Sequence, residues 1–175
     1  MNQSLSLYRM ETGTFVLHAE PVDLFATLAM VRQETLTAFN QLNLDIRIRA
    51  AGGGNAAPGQ YVAQGEPGLC HSLFGNLLRN AAQASGPDAP ITIELAAADD
   101  GISVRIHNAA VVPAAIRERF FDKYVTAGKS EGTGLGTYSA KLVAEAQGGR
   151  IAMQTAEPAG TVLTVWLPRA AGTRQ

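Results

Sequence analysis

Between Leu69 and Ala84 the apolar residues come in neighbouring pairs that recur every four positions: Leu69/Cys70, Leu73/Phe74, Leu77/Leu78 and Ala81/Ala82. At about 3.6 residues per turn such pairs merge into one broad stripe, so the segment predicts a helix that must bury a wide face. Ser85, Gly86 and Pro87 end it. The chain that follows offers surfaces to cover the stripe. Ile91 to Leu95 and Ile102 to Ile106 alternate apolar with polar residues around Asp99-Asp100-Gly101, the pattern of a hairpin with one dry face. Pro113 to Phe121 reads as a short helix, Gly128 to Gly136 as loop, and Thr137 to Gln147 as a helix stopped by Gly148-Gly149. Two more strands, Arg150 to Thr155 and Thr161 to Leu167, flank a turn with Pro158 and Gly160.

Upstream, residues 1–20 alternate loosely around Gly13 and predict two short strands joined by a turn. Pro21 opens a helical stretch to about Leu42, with Leu24, Leu28, Val31 and Phe39 on one face. Leu44, Ile46 and Ile48 alternate with Asp45, Arg47 and Arg49 in a half-buried strand, and Ala51 to Pro58 is a glycine-rich surface loop. Helices interspersed with hairpins predict an α+β fold: a two-layer α/β sandwich, its mixed, mostly antiparallel sheet carrying three main helices on one face. Residues 21–168 form that domain, 1–20 an N-terminal arm or hairpin, and 169–175 a short flexible tail.

Composition excludes several classes of function. Hydrophobic residues make up 46% and charged residues 17%, which describes a globular chain. With a net charge of -1, no overall basic field draws it to nucleic acid or to an anionic membrane. No apolar run approaches the roughly 20 residues that span a bilayer, and Met1 to Met10 lacks a signal-peptide pattern, so a cytoplasmic location is expected. The single cysteine, Cys70, rules out an internal disulfide and reads as a core residue. His18 and His71 have no Asp, Glu or Cys partner at metal-ligand spacing.

Two features carry chemistry. Asn76 and Asn80 sit four apart on the 69–84 helix, so their amides project from one face. Asparagine is a poor interior helix former, and a pair at this spacing is either a solvated strip or a pair of neutral oxygen donors for a hard cation and a phosphate. The second feature is Gly132-Thr133-Gly134-Leu135-Gly136, which runs straight into Thr137 and a helix. Residues without Cβ let main-chain N–H groups approach phosphate oxygens, and the helix N-terminus adds partial positive charge. Lys129 supplies a point charge beside it, and the polar stretch Thr126 to Glu131 suits a lid. A dinucleotide fold needs a strand directly before the glycines, and a Walker loop needs Gly-Lys-Ser/Thr; neither is present.

In order, these elements resemble the GHKL ATPase superfamily, specifically the catalytic domain of bacterial sensor histidine kinases. Leu73 to Ala81 resembles its asparagine box, Phe120-Phe-Asp-Lys-Tyr124 its phenylalanine box, and Gly132 to Leu142 with Gln147-Gly-Gly149 its last glycine box. Gly160 to Pro168 resembles the terminal strand, and Glu20-Pro-Val-Asp-Leu24 the approach to the first helix. The resemblance implies a Bergerat-type fold that binds ATP and Mg²⁺, with Asn80 as the metal ligand and Asn76 beside the γ-phosphate. It implies that Lys129, Gly132, Thr133, Gly134, Leu135, Gly136 and Thr137 hold phosphates and that Phe120 or Phe121 packs at the lid hinge. It also implies a partner: a dimerisation segment of the same kinase, outside this chain, bearing the histidine to be phosphorylated, with a response regulator served indirectly.

One box departs from the pattern. Where the family usually has Asp-x-Gly-x-Gly, with the Asp accepting from the adenine amino group, this chain reads Asn108-Ala-Ala-Val-Val112. Asn108 aligns with the acid, and its amide oxygen can still accept; His107 would face the other side of the strand. Ala110 in a glycine position either narrows the pocket or forces a different turn. The rival readings are a nucleotide-insensitive interaction module built on the same fold, or another GHKL ATPase or kinase. A gyrase-type ATPase is disfavoured because Asn76 stands where an acid is expected as base.

Overall fold

The computed structural model describes residues 3–126 and 133–172. In chain order the elements are α1 (Gln3–Glu11), β1 (Glu20–Asp23), α2 (Leu24–Ala38), β2 (Asp45–Ala50), β3 (Val62–Gly65), α3 (Pro67–Ala84), β4 (Pro90–Ala97), β5 (Gly101–Asn108), α4 (Gly136–Ala146), β6 (Arg150–Ala156) and β7 (Gly160–Pro168). Single 3-10 segments occupy Asn40–Leu42 and Ala114–Arg119. Five strands form one sheet in the order β2-β4-β5-β7-β6, with β2 parallel to β4 and every other neighbouring pair antiparallel. β1 and β3 make a separate antiparallel pair. This is the expected α+β sandwich: the inward residues of β4, β5 and β7, among them Ile91, Ile93, Val104, Ile106 and Val165, are buried with Leu73, Phe74, Leu77 and Leu78 of α3.

α3 packs against both α2 and α4 and is the middle helix of that layer. Its stripe is fully buried, with Leu73, Phe74, Leu77 and Leu78 at 0% exposure. Pro67 occupies its first turn, where a missing N–H costs nothing, and begins the helix before Leu69. Cys70 is buried in the same face, and loss of water pushes its thiol up to about 12, against a bond to Gln147 Oε1 at 3.4 Å.

Several sequence-based expectations are corrected. Pro21 lies in β1 rather than at a helix start; α2 begins at Leu24, where Asp23 accepts from the N–H groups of Phe25 and Ala26. The same carboxylate accepts from Gly59 N at 2.8 Å, which ties the 51–61 loop to the helix start. β3 was not expected; it is four residues long and pairs with β1 some 45 positions away (Glu20 with Gly65). Residues 3–11 are helical, not a strand, because α1 docks on α4. The tail is anchored at its start: Arg169 N donates to Asp100 O at 3.1 Å, Ala170 N to Val62 O at 3.1 Å, and Ala170 is 4% exposed. Residues 173–175 lie outside the described residues. No described helix is long and apolar enough to cross a membrane.

Asp23→Ala should lower the urea midpoint by the equivalent of about 1–2 kcal/mol, since it removes a helix cap; Asp23→Asn should keep most of that stability. The Cys70 thiol is raised on folding from an ordinary value of 9.0, so its neutral form favours the folded state. That contribution is complete below pH 9.0 and is lost as pH rises towards about 12. Stability measured across this window should therefore fall less in Cys70→Ala than in the unchanged protein.

Candidate functional site

The residues singled out from sequence meet around one open cavity of about 1190 Å³ between the helices and the end of β5. Asn76 and Asn80, one turn apart on α3, are both half-buried and both line it. Their direction follows from the stripe beside them, which turns the narrow polar strip of α3 away from the sheet. Asn108 lines it from the last position of β5, on the same face as Ile102, Val104 and Ile106. His107 points to the opposite face, where Nε2 lies 2.7 Å from Ala159 O. Thr133, Gly134, Leu135, Gly136 and Thr137 also line the cavity, whereas Lys129 and Gly132 lie outside the described residues.

The glycines have separate tasks. Gly134 has φ +66°, and a Cβ there would lie 2.5 Å from Tyr124 C. Its carbonyl accepts from Tyr124 N at 3.0 Å, so the two segments bracketing residues 127–132 are bonded to each other. Thr137 reinforces this: its hydroxyl donates to Phe120 O at 2.9 Å and is spent on structure, leaving its main-chain N–H as what it offers a ligand. Phe120 is buried and meets Phe121 edge to face at 5.0 Å, so the aromatic pair packs at this junction. At Gly136, the first residue of α4, a Cβ would meet nothing within 4 Å. The N-cap residue of α4, Leu135, makes no side-chain cap bond to the N–H groups of the first turn.

Electrostatically the lining suits an anion. Arg79 is the single charged side chain among the described lining residues, and no carboxylate is present there. Arg79 was not anticipated, although it stands directly before Asn80 on α3. Ser139 also went unread: it is buried, and its Oγ and Asn108 Nδ2 are the buried side-chain polar atoms without a hydrogen-bond partner among the described residues. An unpaired buried group costs about 1–3 kcal/mol, and both of these belong to residues of the cavity wall.

The altered glycine box resolves into a different turn. No described residue between 108 and 113 has a positive φ. Thr161 Oγ1 donates to Ala110 O at 2.7 Å, Val112 N donates to Thr155 Oγ1 at 3.0 Å, and the two hydroxyls meet at 2.9 Å. Two threonines of the β6–β7 hairpin thus hold the segment in a shape that alanine and valine adopt. Gly160 lets it approach: with φ +84°, its Cβ would fall 2.3 Å from Asn108 O. The N-terminal helix was missed altogether. Ser4 and Leu7 of α1 reach the cavity, and Glu11 bonds Lys123 Nζ at 2.5 Å and Tyr138 Oη at 2.8 Å. These partners, Lys123 first, hold the Glu11 carboxyl below its usual range.

Residues 65–171 match the family described as histidine kinase-, DNA gyrase B-, and HSP90-like ATPases, and the chain belongs to that family. It is 27% identical over 98% of its length to the sensor protein VanSC of Enterococcus gallinarum, covering 46% of that protein. It is 31% identical to the sensor histidine kinase ZraS of Escherichia coli over 60% of its length and 23% of that protein's. The chain therefore spans less than half of these relatives. Among solved structures, the mycobacterial sensor histidine kinase MprB superposes with a TM-score of 0.72 at 21% identity, over 86% of this chain and 97% of that one. ShkA, solved in complex with AMPPNP, superposes with a TM-score of 0.79 at 17% identity over 97% of this chain and 35% of its own.

Two glycine substitutions should separate scaffold from ligand contact. Gly134→Ala should lower stability by about 1–2 kcal/mol, from its left-handed backbone alone. Gly136→Ala should leave the urea midpoint within about 0.5 kcal/mol and yet weaken nucleotide binding in a fluorescence titration.

Proposed function

We propose that this chain is the ATP-binding catalytic domain of a two-component sensor histidine kinase. In this reading it transfers the γ-phosphoryl group of Mg-ATP to a histidine on another segment of the same kinase. Residues 21–168 form the catalytic unit, placed in the cytoplasm, and a response regulator takes the phosphoryl group afterwards. The observation that carries the reading is the meeting of three asparagine amides and the start of α4, whose N-cap residue makes no side-chain bond, around one cavity lined by a cation and, among the described residues, by no acid. Such a lining suits a triphosphate, because a carboxylate without a bound cation would oppose its charge.

Each residue then has a task. Asn80 contributes a neutral amide oxygen to Mg²⁺, and Asn76 orients the terminal phosphate. The N–H groups at the start of α4, with Gly132, Gly134 and Gly136 and the charge of Lys129, hold the phosphates. Bound Mg²⁺ would neutralise charge on the phosphate oxygens. The donor set fits that ion: it retains water and takes oxygen ligands from phosphates, so one or two protein oxygens suffice. Among the described residues no cluster of His, Cys, Asp and Glu could hold a metal without the nucleotide.

Phosphoryl transfer asks little covalent chemistry of such a site, and positioning with charge neutralisation supplies most of the rate. A neutral imidazole nitrogen attacks with the lone pair it already carries, ADP leaves, and the proton on the other ring nitrogen departs only after the N–P bond has formed. Water needs a base, and Asn76 with an acid-free described lining provides none, which favours transfer to histidine over hydrolysis.

Calorimetric titration should show Mg-ATP binding, with Asn80→Ala weakening it by about tenfold or more, or about 1.4 kcal/mol. Mg²⁺ added without nucleotide should give no binding heat. Absence of binding by the unchanged protein at millimolar Mg-ATP refutes the assignment.

A further inference from the structure

α1 stands outside residues 65–171, the stretch that matches the family, yet it forms part of the cavity. Ser4, Leu7 and Glu11 are spaced three and four apart, which sets them along one side of the helix. Ser4 and Leu7 line the cavity. Leu7 and Met10 pack against the core cluster, whereas Leu5 and Tyr8 lie on another side, at 50% and 62% exposure. Glu11, at the far end of α1, joins both segments that bracket residues 127–132. Its Oε1 meets Lys123 Nζ and accepts from Tyr138 Oη, and Lys123 Nζ stands 5.0 Å from the centre of the Tyr138 ring. Lys123 precedes Tyr124, whose N–H bonds Gly134 O, and Tyr138 lies in the first turn of α4. One end of α1 is therefore at the cavity, and the other is tied to the residues that carry the start of α4.

We infer that α1 is a wall of the nucleotide site, so that its docking and nucleotide binding reinforce each other, with Glu11 as a positioning residue. This rests on the cavity being a nucleotide site. Volume decides between a wall and a plug. With α1 docked the cavity still measures about 1190 Å³, above the roughly 300–1,000 Å³ of ordinary ligand pockets, so α1 leaves room for a nucleotide. A ligand there touches Ser4 and Leu7 only while α1 is docked. It also steadies the start of α4, and with it the tyrosine on which Glu11 closes. A ligand that prefers the docked state stabilises docking by the same factor by which docking tightens the ligand. The tie itself is weak, because an exposed ion pair contributes little, so α1 can leave and return while the sheet stays folded.

The test follows hydrogen exchange in residues 7–11 and the calorimetric affinity for Mg-ATP. Saturating Mg-ATP should slow that exchange in the unchanged protein by about fivefold or more. Glu11→Ala places the best helix former in α1, so α1 itself is not weakened. It should nevertheless loosen Mg-ATP binding by about threefold to fivefold, the scale of an exposed ion pair. Tyr138→Phe removes one partner of the same carboxylate, and the double variant should lose less than the product of the two single losses. Tyr8→Ala, on the exposed side of α1, should leave the affinity unchanged. Mg-ATP binding with no slowing of exchange overturns the inference and leaves the nucleotide assignment intact. Tighter binding by Glu11→Ala makes α1 a plug and overturns it too, as does an equal loss in Tyr8→Ala. Absence of Mg-ATP binding by the unchanged protein removes the assignment and the inference together. The exchange measurement needs no variant and decides the matter even where one does not fold.

Discussion

The buried stripe of α3 is the contact on which the remaining geometry depends. Leu73, Phe74, Leu77 and Leu78 are at 0% exposure against the sheet, and burial of each such side chain contributes about 1.5–3 kcal/mol. Turning the helix by a single residue, about 100°, would expose part of this stripe and drive an asparagine amide into the apolar layer. Burying an unpaired amide costs a further 2–7 kcal/mol or so. Core packing therefore fixes the direction of Asn76 and Asn80 more firmly than any bond of their own. The same stripe sets α4 against α3, and with it the place where the start of α4 faces those amides.

A second set of contacts, all polar, connects the parts of the cavity that the core does not reach. Tyr124 N to Gly134 O and Thr137 Oγ1 to Phe120 O bind the segment after β5 to the start of α4. Thr155 and Thr161 do the same for residues 110–112. These bonds use main-chain groups that would otherwise lie unpaired near a cleft, so each satisfies a polar group and sets a wall of the cavity at once. The Glu11 contact with Lys123 and Tyr138 is of another kind. It is exposed, screened by salt and weak, and it holds α1 near the cavity without contributing to the core.

What could be read from sequence follows the distinction between local and remote causes. The α3 stripe, the β4–β5 and β6–β7 hairpins and the glycine run before α4 each declare themselves within one continuous stretch of chain, by spacing alone. β1 and β3 do not, because two four-residue strands are stable only as a pair formed across the whole of α2 and β2. Residues 3–11 misled for a related reason. Leu5, Leu7 and Tyr8 alternate as a strand would, and α1 is helical because α4 offers it a surface. Within the cavity, Asn76 and Asn80 stood out as a pair at helical spacing, and Asn108 through its alignment with the family's acid. Arg79 and Ser139 did not, since an arginine on a helix and a serine near a helix start are ordinary until the tertiary structure brings them to one wall.

The loss of an acid at position 108 has an electrostatic consequence for the whole lining. A carboxylate there would add a negative charge to a lining that, among the described residues, carries none. The amide removes that charge, and the described lining is left with Arg79 and the α4 N-terminus, both of the sign a triphosphate requires. Position 108 thus sets the charge of the lining without setting the sheet around it, because the pairing of Asn108 with Ile91 and Thr161 is made by the main chain.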